Sequence, residues 1–255
     1  MPNTTTSIIV PCYDEIDGLP QLIRRITAMR ETGRIPNWDI YLINDGSTDG
    51  TKEAIDRLAA EHPDWIRAVH HEKNKGLGAS IRTGFAVTHA PIVCTMDSDC
   101  TFAPETLPQM VEMLHAGADL VTASPWHPES GQGTVHPMRK ILSQGASWVY
   151  RQILGDKVHS FTPMHRAYRR EVIKKVVFHS NNFSAVAEFM VRAIFLGFRV
   201  KELPMPVDRR QFGESKINVF QSVKSRLSLM RLAGWTSLTM WADAKFAGGR
   251  LVIEE

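Results

Sequence analysis

The chain has 255 residues, 43% of them hydrophobic and 22% charged, and its 30 basic and 27 acidic side chains leave a formal net charge of +3. This length allows one large α/β domain with a core of its own, so folding needs no disulfide or structural metal. The even charge balance excludes broad-surface nucleic-acid binding, and 17 glycines, 14 prolines and 3 cysteines exclude collagen-like, disordered and disulfide-rich classes.

Strands and helices alternate through the first half of the chain. Short apolar runs predict strands, and apolar residues at helical spacing predict the helices between them. In chain order these are strand 7–11, helix 18–30, strand 38–44, a helix around 55–59, strand 66–69, helix 78–87, strand 92–96, a helix from Pro104 and strand 119–123. This alternation is typical of an α/β fold with a Rossmann-like, mostly parallel central sheet flanked by helices.

The alternation ends after Ser124. The following stretch, 125–137, is rich in Pro, Gly, His and Ser, so we expect a long loop. The remaining predicted elements are helices at 138–154 and 184–196, a strand at 199–207 and an amphipathic, partly basic segment at 217–241.

Cysteine usage and the N-terminus bear on location. Cys12, Cys94 and Cys100 form no CxxC pair, so we expect free thiols in a reducing compartment and no zinc site built on them. The first residues contain no basic and apolar leader, and nowhere do about 18 apolar residues follow one another, as a membrane span requires. We therefore expect a cytoplasmic protein.

Acidic side chains follow three of the predicted strands. Asp14 and Glu15 follow the first strand, Asp45 follows the second, and Asp97 and Asp99 follow the fourth. In open parallel sheets, ligands bind at the carboxyl ends of the strands, where the strand order reverses. We therefore expect a ligand site at this edge of the sheet.

The run Asp97-Ser98-Asp99 offers two carboxylates just after a buried strand. Such hard oxygen ligands suit Mg²⁺ or Mn²⁺, which keeps several waters and takes its other ligands from phosphate oxygens. The ion would bridge a diphosphate and stabilise its charge as a leaving group. A solvated Asx turn before the helix at Pro104 explains the same residues without a metal.

Two further strand-end runs are consistent with nucleotide binding. In the run from Asp45 to Thr51, the first carboxylate is placed to accept bonds from a base or ribose, while Ser47, Thr48 or Asp49 would cap the next helix. In the run 11–15, an aromatic ring is placed to lie against a base and a carboxylate to hold a ribose, although an ordinary strand-end turn also explains that run.

The run 73–82 places glycines and cations at the start of a helix, which is a good anion site. It lacks the Gly-Lys-Ser/Thr of a P-loop, and a surface turn with solvated lysines is the alternative. No GxGxxG follows the first strand, which argues against a Rossmann oxidoreductase.

Five motifs occur in order: Ile-Val-Pro-x-Tyr-x-Glu, Asn-Asp-Gly-Ser-Thr-Asp-Gly-Thr, Lys-Gly-Leu-Gly-Ala-Ser-Ile-Arg-Thr-Gly, Met-Asp-Ser-Asp and Arg-Gln-Phe-Gly-Glu-Ser-Lys. Together they resemble the inverting family 2 glycosyltransferases of GT-A fold, in particular the dolichyl-phosphate mannose synthase-like, polyprenyl-phosphate branch. The resemblance covers about 7–216. It implies metal-dependent transfer of a sugar from a GDP- or UDP-sugar to an acceptor, most directly a polyprenyl phosphate, with Mg²⁺ or Mn²⁺ as cofactor.

Carried over residue by residue, the resemblance assigns roles along the chain. Nucleotide and donor binding falls to Pro11, Tyr13, Glu15, Asp45, Lys75, Gly76, Asp97 and Ser98, and metal binding to Asp97 and Asp99. Acceptor binding falls to Arg139, Ser143, Arg210, Ser215 and Lys216, and the catalytic set is Asp99, Arg139, Arg210 and Lys216. Arginine and lysine suit the phosphates of an acceptor or of the leaving diphosphate, whereas a solvated loop is the plainer explanation of Arg210 and Lys216. Glu188, in an apolar helix, either orients such a cation or faces solvent.

The sequence departs from the family on the acceptor side. The usual Gly-Ser-Arg after the fifth strand is replaced by 123–126, which lacks the arginine, and 160–166 lacks the acid and glycine of Asp-x-Thr-Ser-Gly-Phe-Arg. The glutamine that often follows the paired acids is Thr101. A soluble small-molecule or glycan acceptor therefore stays an alternative, as does an inactive nucleotide-sugar-binding module, against which both retained aspartates argue.

We expect one catalytic domain over 1–255, with a nucleotide-sugar half at 1–124, an acceptor half at 125–216 and an amphipathic segment at 217–255. The apolar stripe, tryptophans and cations of 217–241 suit peripheral contact with the cytoplasmic face of a membrane. Packing of that stripe on the sheet or on a second subunit explains it as well, and leaves a homo-oligomer open.

Overall fold

The structure is a computed structural model, and it describes residues 5–131, 145, 147–148 and 158–207. The predicted helix at 138–154 and the segment 217–241 lie almost wholly outside these residues. In chain order the elements are β1 Thr6–Cys12, α1 Leu19–Glu31, β2 Trp38–Asp45, α2 Thr51–Glu61, β3 Ile66–His71, α3 Leu77–Val87, β4 Ile92–Thr95, a 3-10 turn Pro104–Thr106, α4 Leu107–His115, β5 Leu120–Ser124, β6 Arg166–Arg169, α5 Arg170–Lys175, α6 Ser184–Phe195 and β7 Val200–Pro204.

The seven strands form one sheet in the order β3-β2-β1-β4-β6-β5-β7. The pairs β1–β2, β1–β4, β2–β3 and β5–β7 are parallel, which confirms the predicted mostly parallel α/β fold. The chain passes from β1 to β2 on one side and returns through β4 on the other, so the strand order reverses at β1. A crevice is expected at such a point, at the carboxyl ends of the strands.

One strand and one helix of the sheet region have no counterpart in the sequence prediction. Strand β6 lies between β4 and β5 and runs antiparallel to both, and α5 follows it directly. Each is short, and β6 begins and ends with arginine, so neither shows an apolar run or a helical stripe. Fully buried Arg166 donates to the carbonyls of Val186 (2.7 Å) and Phe161 (2.8 Å), which ties β6 to α6 and to the preceding loop.

Alternate strand residues point to opposite faces of the sheet and build two apolar layers. On one face Ile8 packs with side chains of α1, α2 and α4, and on the other Ile9 packs with those of α3, α5 and α6. This two-sided burial fixes the strand ends on which the site depends. The three cysteines are free, as expected, and all three are buried. Burial raises the pKa of the Cys94 thiol to about 12. Within the described ranges, no helix has the length and apolar character that crossing a membrane demands.

Candidate functional site

The residues predicted to bind the donor lie at the carboxyl ends of β3, β2, β1 and β4, which are adjacent and parallel. Asp45 ends β2, and the run 97–99 follows β4. A side-chain carbon built on Gly18 would lie 3.3 Å from Glu15 Oε2 and 4.0 Å from the Ser98 carbonyl, so the loop after β1 meets the loop after β4. The structure thus brings together the predicted donor residues at one edge: Pro11, Tyr13, Glu15, Asp45, Lys75, Gly76, Asp97 and Ser98.

The loop after β1 is fastened to the loop after β2. The backbone N–H groups of 14–16 donate in turn to Ser47 Oγ, Thr51 Oγ1 and Asp49 Oδ2 over 2.9, 2.8 and 3.1 Å. The Thr48 N–H donates back to the Asp14 carboxylate at 2.8 Å. These side chains therefore set the shape of the loop that carries Tyr13 and Glu15.

The prediction that Ser47, Thr48 or Asp49 caps α2 is wrong. Gly50 occupies the N-cap position with φ of 93°, and no side chain caps the helix there. Asp49 Oδ1 instead accepts the Thr51 N–H at 3.0 Å in an Asx turn. Partial burial would raise the pKa of Asp49, but the hydrogen bonds from the Thr51 hydroxyl and N–H outweigh it and lower that pKa.

Asp45 is buried and fixes the turn before α3. Its Oδ1 accepts the Lys75 N–H at 2.9 Å, and its Oδ2 accepts the Gly76 N–H at 2.8 Å. Oδ1 also lies 2.7 Å from Nδ1 of His71, whose Nε2 is 2.9 Å from the Thr83 hydroxyl. The sequence reasoning missed His71. In this arrangement Asp45 positions the backbone of the turn at 75–76.

The turn before α3 packs tightly against the loop at 180–181. Gly76 has φ of 92°, and a side-chain carbon there would lie 2.4 Å from the Asn181 carbonyl. A carbon on Gly78 would lie 2.1 Å from the Ser180 carbonyl, to which Arg82 donates at 2.8 Å. The glycines of this turn are thus needed for a close backbone approach between the two halves of the chain.

Glu188 anchors that loop from α6. Its carboxylate accepts the N–H groups of His179 (3.1 Å) and Ser180 (3.0 Å) and the Nε–H of Arg192 (3.0 Å). Burial opposes ionisation, yet the Ser180 and His179 bonds and the Arg192 charge lower the pKa of Glu188. The side chain is 2% exposed, so the surface-facing alternative is wrong. The cation that it contacts is Arg192, which is not one of the acceptor-side cations that the sequence suggested.

The paired aspartates stand on the turn that leaves β4. Asp97 and Asp99 are half-buried and Ser98 between them is buried. Asp99 Oδ1 accepts the Thr101 N–H at 2.9 Å, so this carboxylate also forms the Asx turn that the sequence allowed. Two carboxylates with partial solvent access form a hard oxygen donor set, which suits Mg²⁺ or Mn²⁺.

The charge around this turn is negative. Burial raises the pKa of the neighbouring Cys100 thiol to about 11, and the carboxylates of Asp99, Glu105 and Asp97 add to it against the charge of Arg25. Arg25 pairs with Glu105 through two bonds of 2.9 and 2.6 Å. The acidic field of the turn therefore favours a bound cation.

A buried histidine lies behind the same turn. His165 stacks on Phe102 with ring centroids 5.7 Å apart, and its Nε2 is 2.9 Å from the Thr106 hydroxyl. That hydroxyl donates to the Ala103 carbonyl, so Nε2 carries the ring proton. In the described part of the chain Nδ1 has no hydrogen-bond partner, and burial lowers the pKa of His165 to about 3.

The acceptor side is described only in part. Ser124 and Ser160 share a hydrogen bond of 2.9 Å, and the Trp126 N–H approaches Ser160 Oγ at 3.4 Å. The predicted acceptor residues lie outside the described residues, and their roles stay predictions: Arg139, Ser143, Arg210, Ser215 and Lys216.

Comparison with known proteins places these features in a family. The sequence model described as Glycosyl transferase family 2 matches residues 7–177. Polyprenol monophosphomannose synthase of Mycolicibacterium smegmatis is 33% identical over 243 residues, which cover 92% of this chain and 88% of that protein. Undecaprenyl-phosphate mannosyltransferase of Micrococcus luteus is 30% identical over 216 residues, covering 82% and 86%.

Solved structures share the fold. Glucosyl-3-phosphoglycerate synthase from Mycobacterium tuberculosis, solved with Mn²⁺, UDP-glucose and phosphoglyceric acid, superposes with a TM-score of 0.68. The match covers 91% of this chain and 79% of that chain at 18% identity. Likeness at this identity establishes the common architecture.

Proposed function

The chain belongs to glycosyl transferase family 2 and is a glycosyltransferase, and we propose that it moves a sugar, with inversion, from a nucleoside-diphosphate sugar to a polyprenyl phosphate. The observation that carries the proposal is the acidic turn after β4, set where the strand order reverses. Two relatives at 30% identity or more are named for polyprenyl-phosphate mannosyl transfer, which supports the acceptor class.

The geometry supports the following roles on the donor side. Asp97 and Asp99 would hold Mg²⁺ or Mn²⁺, which supplies positive charge to the diphosphate as the bond to the sugar breaks. Exposed Lys75, on the turn that Asp45 fixes, adds a positive charge near the start of α3. Tyr13, held on the fastened loop after β1, would lie against the base.

Glu15 would hold the ribose, and Gly18 lets its carboxylate lie beside the turn after β4. Pro11, Asp45, Gly76 and Ser98 would shape the remainder of the donor pocket. The residues that carry acceptor chemistry in this proposal are Arg139, Ser143, Arg210, Ser215 and Lys216.

A polyprenyl phosphate is an anion at neutral pH, so its attack on the anomeric carbon needs no strong base. Catalysis then consists of positioning and of charge stabilisation on the leaving group. The cations Arg139, Arg210 and Lys216 would orient the attacking phosphate. Contact of 217–241 with an anionic membrane would bring the chain to its lipid substrate.

A soluble acceptor is the second candidate. It is favoured by Ser160, which stands where the family motif has an acid and which shares a hydrogen bond with Ser124 instead. A hydroxyl acceptor would require a carboxylate base, which a phosphate acceptor does not. Product analysis by mass spectrometry, with GDP- and UDP-sugars against polyprenyl phosphate and soluble acceptors, separates the two.

The metal role is tested by Asp97→Asn and Asp99→Asn. We expect each to reduce turnover about 1,000-fold, equivalent to about 4 kcal/mol of transition-state stabilisation, without loss of the fold. Asp17→Asn, at an exposed carboxylate on the loop after β1, is the matched control and should leave turnover unchanged. Near-normal turnover of both variants, persisting in EDTA, would contradict the proposal.

A further inference from the structure

Three metal-ligating side chains converge away from the paired aspartates. His127 lies on the loop after β5, His159 on the loop before β6 and Glu202 in β7. One ligand atom from each lies within 4.8 Å of the others, and all three side chains are half-buried. In the described part of the chain, no other three His, Cys, Asp or Glu residues approach so closely.

The carboxylate of this cluster is already oriented. Glu202 Oε1 accepts the N–H groups of His159 (2.9 Å) and Ser160 (3.0 Å), while Oε2 lies 2.7 Å from His159 Nδ1. The rings of His127 and His159 meet edge to face with centroids 4.9 Å apart. Because two backbone N–H groups hold Oε1, Oε2 is directed towards the imidazole of His159. Hydrogen bonds of this kind commonly orient the side chains that bind a metal.

We propose that His127, His159 and Glu202 form a site for a Zn²⁺-class ion. Two imidazoles and one carboxylate suit zinc better than magnesium, and three protein ligands leave a position open for water or another ligand. Ligands about 2.1 Å from a tetrahedral ion lie roughly 3.4 Å apart. Because the three atoms lie within 4.8 Å of one another, no two of them have to approach by more than about 1.4 Å. Within the described residues the His127 ring is held by a 3.2 Å bond from the Glu129 N–H and by its ring contact, and rotation of this ring would supply the movement.

The ion would fasten the loop after β5 to β7. That loop carries Trp126 and borders the Ser124–Ser160 pair, so the site adjoins the two segments, 123–126 and 160–166, where the sequence departs from the family. Binding of the ion replaces the His159–Glu202 hydrogen bond. Binding of the ion to His127, His159 and Glu202 requires neither the sugar donor nor the acceptor.

The test is a Co²⁺ titration of the full chain, without a polyhistidine tag and with excess Mg²⁺ to fill sites built from carboxylates alone. We expect one equivalent of Co²⁺ to give the visible absorption of a four- or five-coordinate ion, displaced by Zn²⁺. His127→Ala and Glu202→Gln should each weaken binding at least about 10-fold. His70→Ala is the matched control, because His70 pairs with Asp56 at 3.0 Å and belongs to no such three-residue cluster in the described ranges.

Loss of the absorption in His127→Ala, with its retention in His70→Ala, supports the site. His127→Ala decides the matter if Glu202→Gln fails to fold, because it removes only a half-buried ring. Absence of the absorption in the unaltered protein, or its persistence in the folded His127→Ala and Glu202→Gln variants, would overturn the proposal. Turnover measured with Mg²⁺ reports separately on the paired aspartates.

Discussion

His165 predicts how the stability of this protein depends on pH. The pKa of its imidazole is about 3 in the folded chain, against an ordinary value of 6.5, because burial disfavours the charged ring. The charge of Glu105 opposes this shift and that of Arg25 adds to it. A proton added to Nδ1 would also be buried without an acceptor in the described part of the chain.

The sign follows from proton binding. Between the two pKa values the unfolded chain binds more protons than the folded one, so stability rises with pH there. The contribution is fully present above pH 6.5 and is lost as the pH falls towards 3. From pH 7 to pH 5 the expected loss from this one group is about 2 kcal/mol.

Urea unfolding between pH 5 and pH 8 measures this loss. His165→Phe keeps a ring to stack on Phe102 and removes the titrating group, so its stability should fall by about 2 kcal/mol less over that range than that of the unaltered protein. His165→Gln, which cannot titrate either, should show the same flatter dependence whatever its absolute stability. Parallel curves for the unaltered protein and both variants would refute the reasoning.

Two further predictions concern the donor-side turn. Asp45→Asn places an amide where two N–H groups and His71 need acceptors, so we expect a loss of about 2–3 kcal/mol in urea unfolding. Asp39→Asn, at a carboxyl group whose pKa is raised by burial, should cost less, and equal losses would contradict the assignment. Gly78→Ala should cost about 1–3 kcal/mol and weaken donor binding, because its methyl group would lie 2.1 Å from the Ser180 carbonyl; an unchanged Tm and donor affinity would disprove this.

Strands β1, β2, β4 and β5 could be predicted from sequence because each is a short apolar run whose burial on both faces leaves a local signal. The edge strand β3 was predicted as well, although four of its six residues are only half-buried. The boundaries agree closely: the second strand was predicted at 38–44 and is Trp38–Asp45. Strand β6 could not be found in this way, because its stability comes from Arg166 and from pairing with β4 and β5. A buried arginine looks like a surface residue until its carbonyl partners are known.

The candidate site, like the fold, could be predicted from the sequence only in part. Motif order was enough to place the carboxylates at one edge of the sheet. It did not reveal His71 or His165, whose neighbours come from distant parts of the chain. Glu188 was noticed as a charge in an apolar helix, but only the structure identifies Arg192 and the loop at 179–180 as what it holds.

The fastened loops change how the strand-end motif is interpreted. Side-chain oxygens of Ser47, Asp49 and Thr51 accept hydrogen bonds from the backbone N–H groups of 14–16. Both carboxylate oxygens of Asp45 accept hydrogen bonds from the N–H groups of the turn at 75–76. If the proposed donor roles hold, a substitution at any of them would alter donor binding by moving Tyr13, Glu15 or Lys75, even where the substituted residue does not contact the nucleotide. Asp45, Ser47, Asp49 and Thr51 therefore act as positioning residues for the two loops. A loss of donor binding in an Asp45 variant is explained by the loss of its two backbone hydrogen bonds, so it does not by itself demonstrate a direct contact between Asp45 and the donor.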